Sequence, residues 1–141
     1  MIQRSASAQW NGDLKAGNGS IRTGSGAVEG KYSFGTRFEN APGTNPEELL
    51  GAAHAACFSM ALSLALTQGG HTPVRVSTTA NVRMERVNEK MTIIGIDLAT
   101  EGEVPGISAE AFAQAAEATK SGCIVSRALA SVPMTLKATL K

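Results

Sequence analysis

The chain has 141 residues, 13 of them basic and 12 acidic, for a formal net charge of +1, and 43% of its residues are hydrophobic. That balance excludes a general electrostatic grip on nucleic acid or on an anionic membrane, and the length suits one domain with a sizeable core. Two cysteines, Cys57 and Cys123, are too few and too far apart for a secreted disulfide framework or a CxxC metal or redox motif.

Met1 to Ser7 carries no apolar signal core, so the expected compartment is reducing cytoplasm, where a thiol is inert, metal-bound or reactive. Residues 4–39 read as antiparallel strands, broken at Asn11-Gly12, Gly17-Asn18-Gly19 and Gly24-Ser25-Gly26. These glycines make no phosphate loop, because no Gly-Lys-Ser/Thr follows. In the third strand, Lys31 to Glu39, the residues Tyr32, Phe34, Thr36 and Phe38 alternate with Ser33, Gly35, Arg37 and Glu39. If the aromatic face meets the core, Arg37 faces water or a partner.

The central element follows the loop at Ala41-Pro42-Gly43-Thr44. Asn45 suits a cap, Pro46 the first helical position, and Glu47 and Glu48 the positive end of the dipole. From Leu49 to Leu66 the only ionisable side chains are His54 and Cys57, and apolar or small residues lie all round. A membrane span is the rival reading, but the run is marginally short for the roughly 20 residues a bilayer needs, and Gly51, His54, Ser59 and Ser63 interrupt it. The reading adopted is a core helix ending near Gly69-Gly70.

Residues 74–87 alternate, with Val74, Val76, Thr78, Ala80, Val82 and Met84 on one face. Asn88-Glu89-Lys90 turns the chain into a returning strand over 91–100, with Ile94, Ile96 and Leu98 inward. Ser108 caps a helix over about 109–120, with Phe112, Ala115, Ala116 and Thr119 as its buried stripe. Gly122 ends it, Cys123 follows, a short helix covers about 124–130, and a last strand carries Met134, Leu136, Ala138 and Leu140. The order βββ-α-ββ-α-α-β is an α+β fold with largely antiparallel sheet.

One small domain cannot cover a helix that is apolar all round, and exposed apolar patches mark interfaces. The expectation is an obligate homodimer with an isologous contact around this helix. By position alone Cys123 is the better nucleophile candidate, since it stands at a helix start where backbone N–H groups stabilise a thiolate. Cys57, mid-helix, reads first as a packed core residue. His54 lies one turn before Cys57, as a hydrogen-bonded structural histidine or an imidazole partner. Glu47 is explained by helix-start chemistry and Arg37 as an exposed strand residue. Two Cys and two His match no zinc spacing.

Several segments together resemble the OsmC/Ohr family, the osmotically inducible protein C and organic hydroperoxide resistance proteins. They are Phe34-Gly35-Thr36-Arg37-Phe38, Gly43-Thr44-Asn45-Pro46-Glu47-Glu48-Leu49, Ala52-Ala53-His54-Ala55-Ala56-Cys57-Phe58-Ser59-Met60-Ala61-Leu62, Val104-Pro105-Gly106-Ile107 and Ser121-Gly122-Cys123-Ile124-Val125-Ser126. The version with His54 is similar to the OsmC branch, although Ile124 stands where that branch suggests Pro. The resemblance implies an intertwined dimer and a thiol peroxidase acting on organic hydroperoxides, and more weakly on hydrogen peroxide, in stress defence. It assigns Cys57 as peroxidatic, Cys123 as the resolving partner in an intramolecular disulfide, Arg37 as the group holding thiolate and peroxide, and Glu47 as its orienter. This reverses the ranking of the two thiols by position. It implies no metal, haem or flavin, and an external dithiol or lipoylated protein as reductant. An apolar wall of Phe58 and Met60, with Phe34 or Phe38, would suit a hydrocarbon tail.

Arginine must do more than acidify. Lowering a thiol's pKa by three units raises its thiolate fraction roughly 30-fold at neutral pH but costs about 20-fold in nucleophilicity if a Brønsted slope of ~0.45 holds, so the guanidinium must also orient the peroxide. Glu47 and Cys57 lie ten residues apart, about 15 Å on an unbroken helix. Either Gly51 breaks the helix, or Arg37 and Glu47 come from the partner subunit. The rival to catalysis is a stress-induced dimeric binding protein with structural cysteines.

Overall fold

The computed structural model describes residues Met1–Lys141. Two compact units divide the chain, residues 1–49 and 50–141.

In the first unit, β1 (Ala6–Asn11), β2 (Asn18–Thr23) and β3 (Glu29–Tyr32) form an antiparallel sheet in the order β1-β2-β3. The third strand expected over Lys31 to Glu39 is corrected here: the sheet ends at Tyr32, and Phe34–Phe38 is a short helix, α1. Ser33 and Thr36 cause this. The Thr36 N–H donates to Ser33 Oγ at 3.2 Å and the Ser33 N–H to Thr36 Oγ1 at 2.9 Å, a reciprocal capping box. Residues four apart share a face in a helix as well as in a strand, so the Phe34–Phe38 spacing is satisfied by a tilted ring contact across one turn, centroids 5.1 Å apart. Arg37 is thus a residue of a helical turn, not of a strand face.

Helix α2 (Pro46–Gln68) begins in the first unit and continues into the second. Asn45 Oδ1 accepts the Glu48 N–H at 2.8 Å, the predicted cap, while its amide donates to the Thr36 carbonyl of α1 at 3.1 Å. Gly51 does not break the helix. A Cβ there would lie 3.0 Å from the Ala80 carbonyl oxygen, so glycine lets α2 lie tight against β4 (Arg75–Val87).

β4 pairs antiparallel with β5 (Lys90–Glu103) through a turn in which Asn88 and Glu89 both have positive φ, and β6 (Met134–Leu140) joins β5 in parallel. Val76, Thr78, Ala80, Val82 and Met84 take the partly buried face of β4, as their alternation predicts, whereas Val74, expected with them, precedes the strand and is exposed. Helix α3 (Ala109–Gly122) is capped by Ser108 and buries Phe112, Ala116 and Thr119. Phe58, Leu62 and Leu66 of α2 meet Ile96, Leu98, Phe112 and Ala116 in the core of this unit. Phe58 is fully buried, so it cannot wall a substrate site. α2 is long and apolar enough to cross a membrane, but one face carries this core. The other bears Ala53, Ala56, Met60 and Leu64, with Met60 76% and Leu64 58% exposed.

Candidate active site

The four residues singled out for catalysis fall into two groups, one in each unit. In the first, the capping of α1 and α2 through Ser33, Thr36 and Asn45 brings Arg37 to Glu47. The Arg37 Nε–H donates to both carboxylate oxygens, at 3.0 and 3.2 Å, and Nη2 donates to Oε1 at 2.7 Å. This fork holds the guanidinium in one plane. Glu47 is buried, while the Arg37 side chain remains 40% exposed, with its Cζ 5.2 Å from the Phe38 ring centroid. One end of the guanidinium is fixed and the rest is open to a ligand. Beside it lies a cavity of about 220 Å³ walled by Trp10, Tyr32, Phe34 and Phe38, with Arg37 in the lining. Phe34 and Phe38 line this cavity; Phe58 and Met60 do not.

In the second unit, Cys57 is a free, partly buried thiol on α2, at the edge of the exposed apolar face. Cys123 is free and buried, and caps α4 (Ile124–Ala128) with its own side chain: Sγ accepts the Ser126 N–H at 3.3 Å. The helix expected over about 124–130 is thus present, ending two residues earlier at Ala128. His54 is fully buried, with Nε2 2.7 Å from Ser126 Oγ, and burial pushes its pKa below the ordinary value. Sequence reasoning did not single out Ser126. Its hydroxyl meets His54 across 72 residues of chain, a contact with no local signature.

α2 is continuous from Pro46 to Gln68, so the ten residues between Glu47 and Cys57 span about 15 Å of rise. The alternative in which Gly51 makes a separate first turn is removed.

Fold and site together define an α+β protein with a forked arginine–glutamate pair and two free thiols, one on its long central helix and one at a helix cap. The OsmC-like protein family model matches residues 38–137. The chain is 49% identical over 129 residues to Peroxiredoxin OsmC of Escherichia coli (strain K12), covering 91% of this chain and 90% of that protein. The chain belongs to the OsmC family. Among solved structures it is similar to the organic hydroperoxide resistance protein OhrB of Bacillus subtilis, with TM-score 0.74 and 21% identity over 97% of this chain and 98% of that one. An organic hydroperoxide resistance protein from Elizabethkingia anophelis gives TM-score 0.76 and 21% identity, covering 99% of each chain. The fold is therefore the OsmC/Ohr fold.

Proposed function

We propose that the chain is a cysteine-based peroxidase that reduces organic hydroperoxides, and hydrogen peroxide more weakly, in oxidative stress defence. Membership of the OsmC family and 49% identity to a peroxiredoxin support the reaction class. The observation that carries the site assignment is the Arg37–Glu47 fork, a fixed cation with an open side next to an apolar cavity.

Cys57 attacks the distal peroxide oxygen as thiolate. The O–O bond breaks, the alkoxide leaves as alcohol after taking a proton, and Cys57 becomes a sulfenic acid. Arg37 holds the peroxide and offsets the charge growing on the leaving oxygen, and Glu47 keeps the guanidinium aimed. Cys123 then condenses with the sulfenic acid to an intramolecular disulfide, with loss of water. An external dithiol, a small molecule or a lipoylated protein, restores both thiols. The cavity of Trp10, Tyr32, Phe34 and Phe38 takes the hydrocarbon tail, which favours alkyl over hydrogen peroxide.

The protein acts as a homodimer sealed along Ala53, Ala56, Met60 and Leu64, and Arg37 with Glu47 serves the Cys57 of the partner subunit. The unbroken run of α2 from Glu47 to Cys57 supports that crossing. The proposed compartment is the cytoplasm, which keeps both cysteines reduced between turnovers. Single-turnover reduction of cumene hydroperoxide tests the assignment: Cys57→Ser should consume no peroxide, and Cys123→Ser should turn over once and accumulate sulfenate. Full consumption by Cys57→Ser would refute it.

A further inference from the structure

The second unit holds a buried polar cluster around Cys123, in which the mechanism above leaves His54 and Ser126 without a task. His54 has no exposed surface, and Cys123 and Ser126 are only 2% and 3% exposed. Cys123 Sγ–H donates to Ser126 Oγ at 3.1 Å, and that hydroxyl lies 2.7 Å from His54 Nε2. His54 Nδ1 is buried without a hydrogen-bond partner. An imidazole packed into a core with one nitrogen unsatisfied is costly, and filling space does not require it. Burial lowers the pKa of His54, which keeps the ring neutral. With its proton on Nδ1, the neutral ring turns a lone pair at Nε2 toward the Ser126 hydroxyl, so the donors run in one direction: S–H to Oγ, O–H to Nε2.

The cluster also has a location. His54 is three residues before Cys57 on α2, about one helical turn, and its bond to Ser126 ties the segment that carries Cys123 to that turn.

We propose that His54, through Ser126, takes the proton of Cys123 and so arms the resolving thiol for disulfide closure. This rests on the peroxidase reading. Ser126 touches the reacting sulfur, and His54 is a positioning residue that acts through it. As Cys123 gives its proton to Ser126 Oγ, the serine's own proton passes to Nε2. The resulting thiolate keeps two donors, the Ser126 N–H already at 3.3 Å and the Ser126 hydroxyl. It attacks the sulfenic sulfur of Cys57. The S–S bond forms, the S–O bond breaks with its electron pair, and the departing hydroxide takes up the proton held at His54, by way of Ser126 or solvent, to leave as water. The oxidising equivalent is the one the peroxide delivered in the preceding step; Cys123 is oxidised and the Cys57 sulfur is reduced from sulfenic acid to disulfide.

His54→Gln and Ser126→Ala test it. Glutamine can still bond to Ser126 but cannot hold the proton, and alanine cuts the relay. Each variant, with its folding checked by thermal melting, is mixed with one equivalent of cumene hydroperoxide. Peroxide consumption and disulfide closure are then timed separately, with dimedone to trap sulfenate. Closure should slow about 100-fold more than peroxide consumption, as expected for loss of general-base assistance, and sulfenate should be trapped in quantity. Closure in the variants should also keep rising with pH in a range where the unsubstituted protein has levelled. Closure at the unsubstituted rate and pH profile in Ser126→Ala would overturn the proposal, and this variant decides the matter where His54→Gln does not fold. Recovery of closure by His54→Gln alone would show a structural role and overturn it, as would a loss that falls on the peroxide step. An unsubstituted protein that forms no sulfenate would overturn the peroxidase reading itself, a different result from a slow second step.

Discussion

The double variant Met60→Ala, Leu64→Ala tests the proposed dimer seam on α2. These side chains are 76% and 58% exposed on a face otherwise made of alanine. Burying a Met or Leu fully is worth about 2 kcal/mol, so covering what is exposed should contribute ~1.5 and ~1.2 kcal/mol respectively. An isologous contact uses each twice, for roughly 5 kcal/mol, and alanine would retain a part of that. The double variant should therefore weaken the dimer by about 3 kcal/mol, roughly 150-fold in Kd. Sedimentation velocity over a dilution series reads the shift directly. Peroxidase activity should fall along the same curve, because the proposed site needs a residue from each subunit. An unsubstituted protein that sediments as a monomer at micromolar concentration, or a variant with the same dissociation curve, would refute the reasoning.

Mixing Cys57→Ser and Arg37→Ala homodimers under exchanging conditions should restore part of the activity that neither has alone; no recovery after verified exchange would place the arginine and thiol of one site in one chain. Glu47→Gln removes the charge that the fork holds, and should lower kcat/KM about 10²-fold, with peroxide titration as the readout. Ile124 is the first residue of α4, and Cys123 before it already has φ −67° and ψ 150°, angles that proline accepts in its predecessor. Ile124→Pro should therefore raise stability by about 0.5 kcal/mol, measured by urea unfolding. The pKa of His54 is lowered by burial, so the unfolded chain takes that proton first as pH falls below the ordinary value of 6.5. Stability should decline with acidity from there down to the depressed folded value, and His54→Gln should flatten that part of the profile in chemical denaturation.

How far the sequence reveals this arrangement depends on how local the deciding interaction is. The bounds of α2 follow from Asn45, Pro46 and the tandem glutamates at one end and Gly69-Gly70 at the other, all contained within a turn of the helix. Strands β4 and β6 alternate cleanly enough to give their buried faces. The Phe34–Phe38 segment misleads because residues four apart share a face under both periodicities. The reciprocal bonds of Ser33 and Thr36 settle it, and these read as a helix start only when weighed above the aromatic alternation. Gly51 is ambiguous for a different reason. Whether a glycine breaks a helix or lets it approach a strand depends on Ala80, some thirty residues away. The bond between His54 and Ser126 is more distant still, with no local signature at either end. Arg37 and Glu47 gained their pairing from the resemblance, while the spacing argument about Cys57 rested only on helix rise and holds in the continuous α2.

The most direct test of the account is peptide mapping of the unsubstituted protein under non-reducing conditions after one equivalent of cumene hydroperoxide. The account predicts one new cross-link, between Cys57 and Cys123 of the same chain, that dithiol treatment removes. Two free thiols after the peroxide has been added, or a cross-link only between chains, would contradict it.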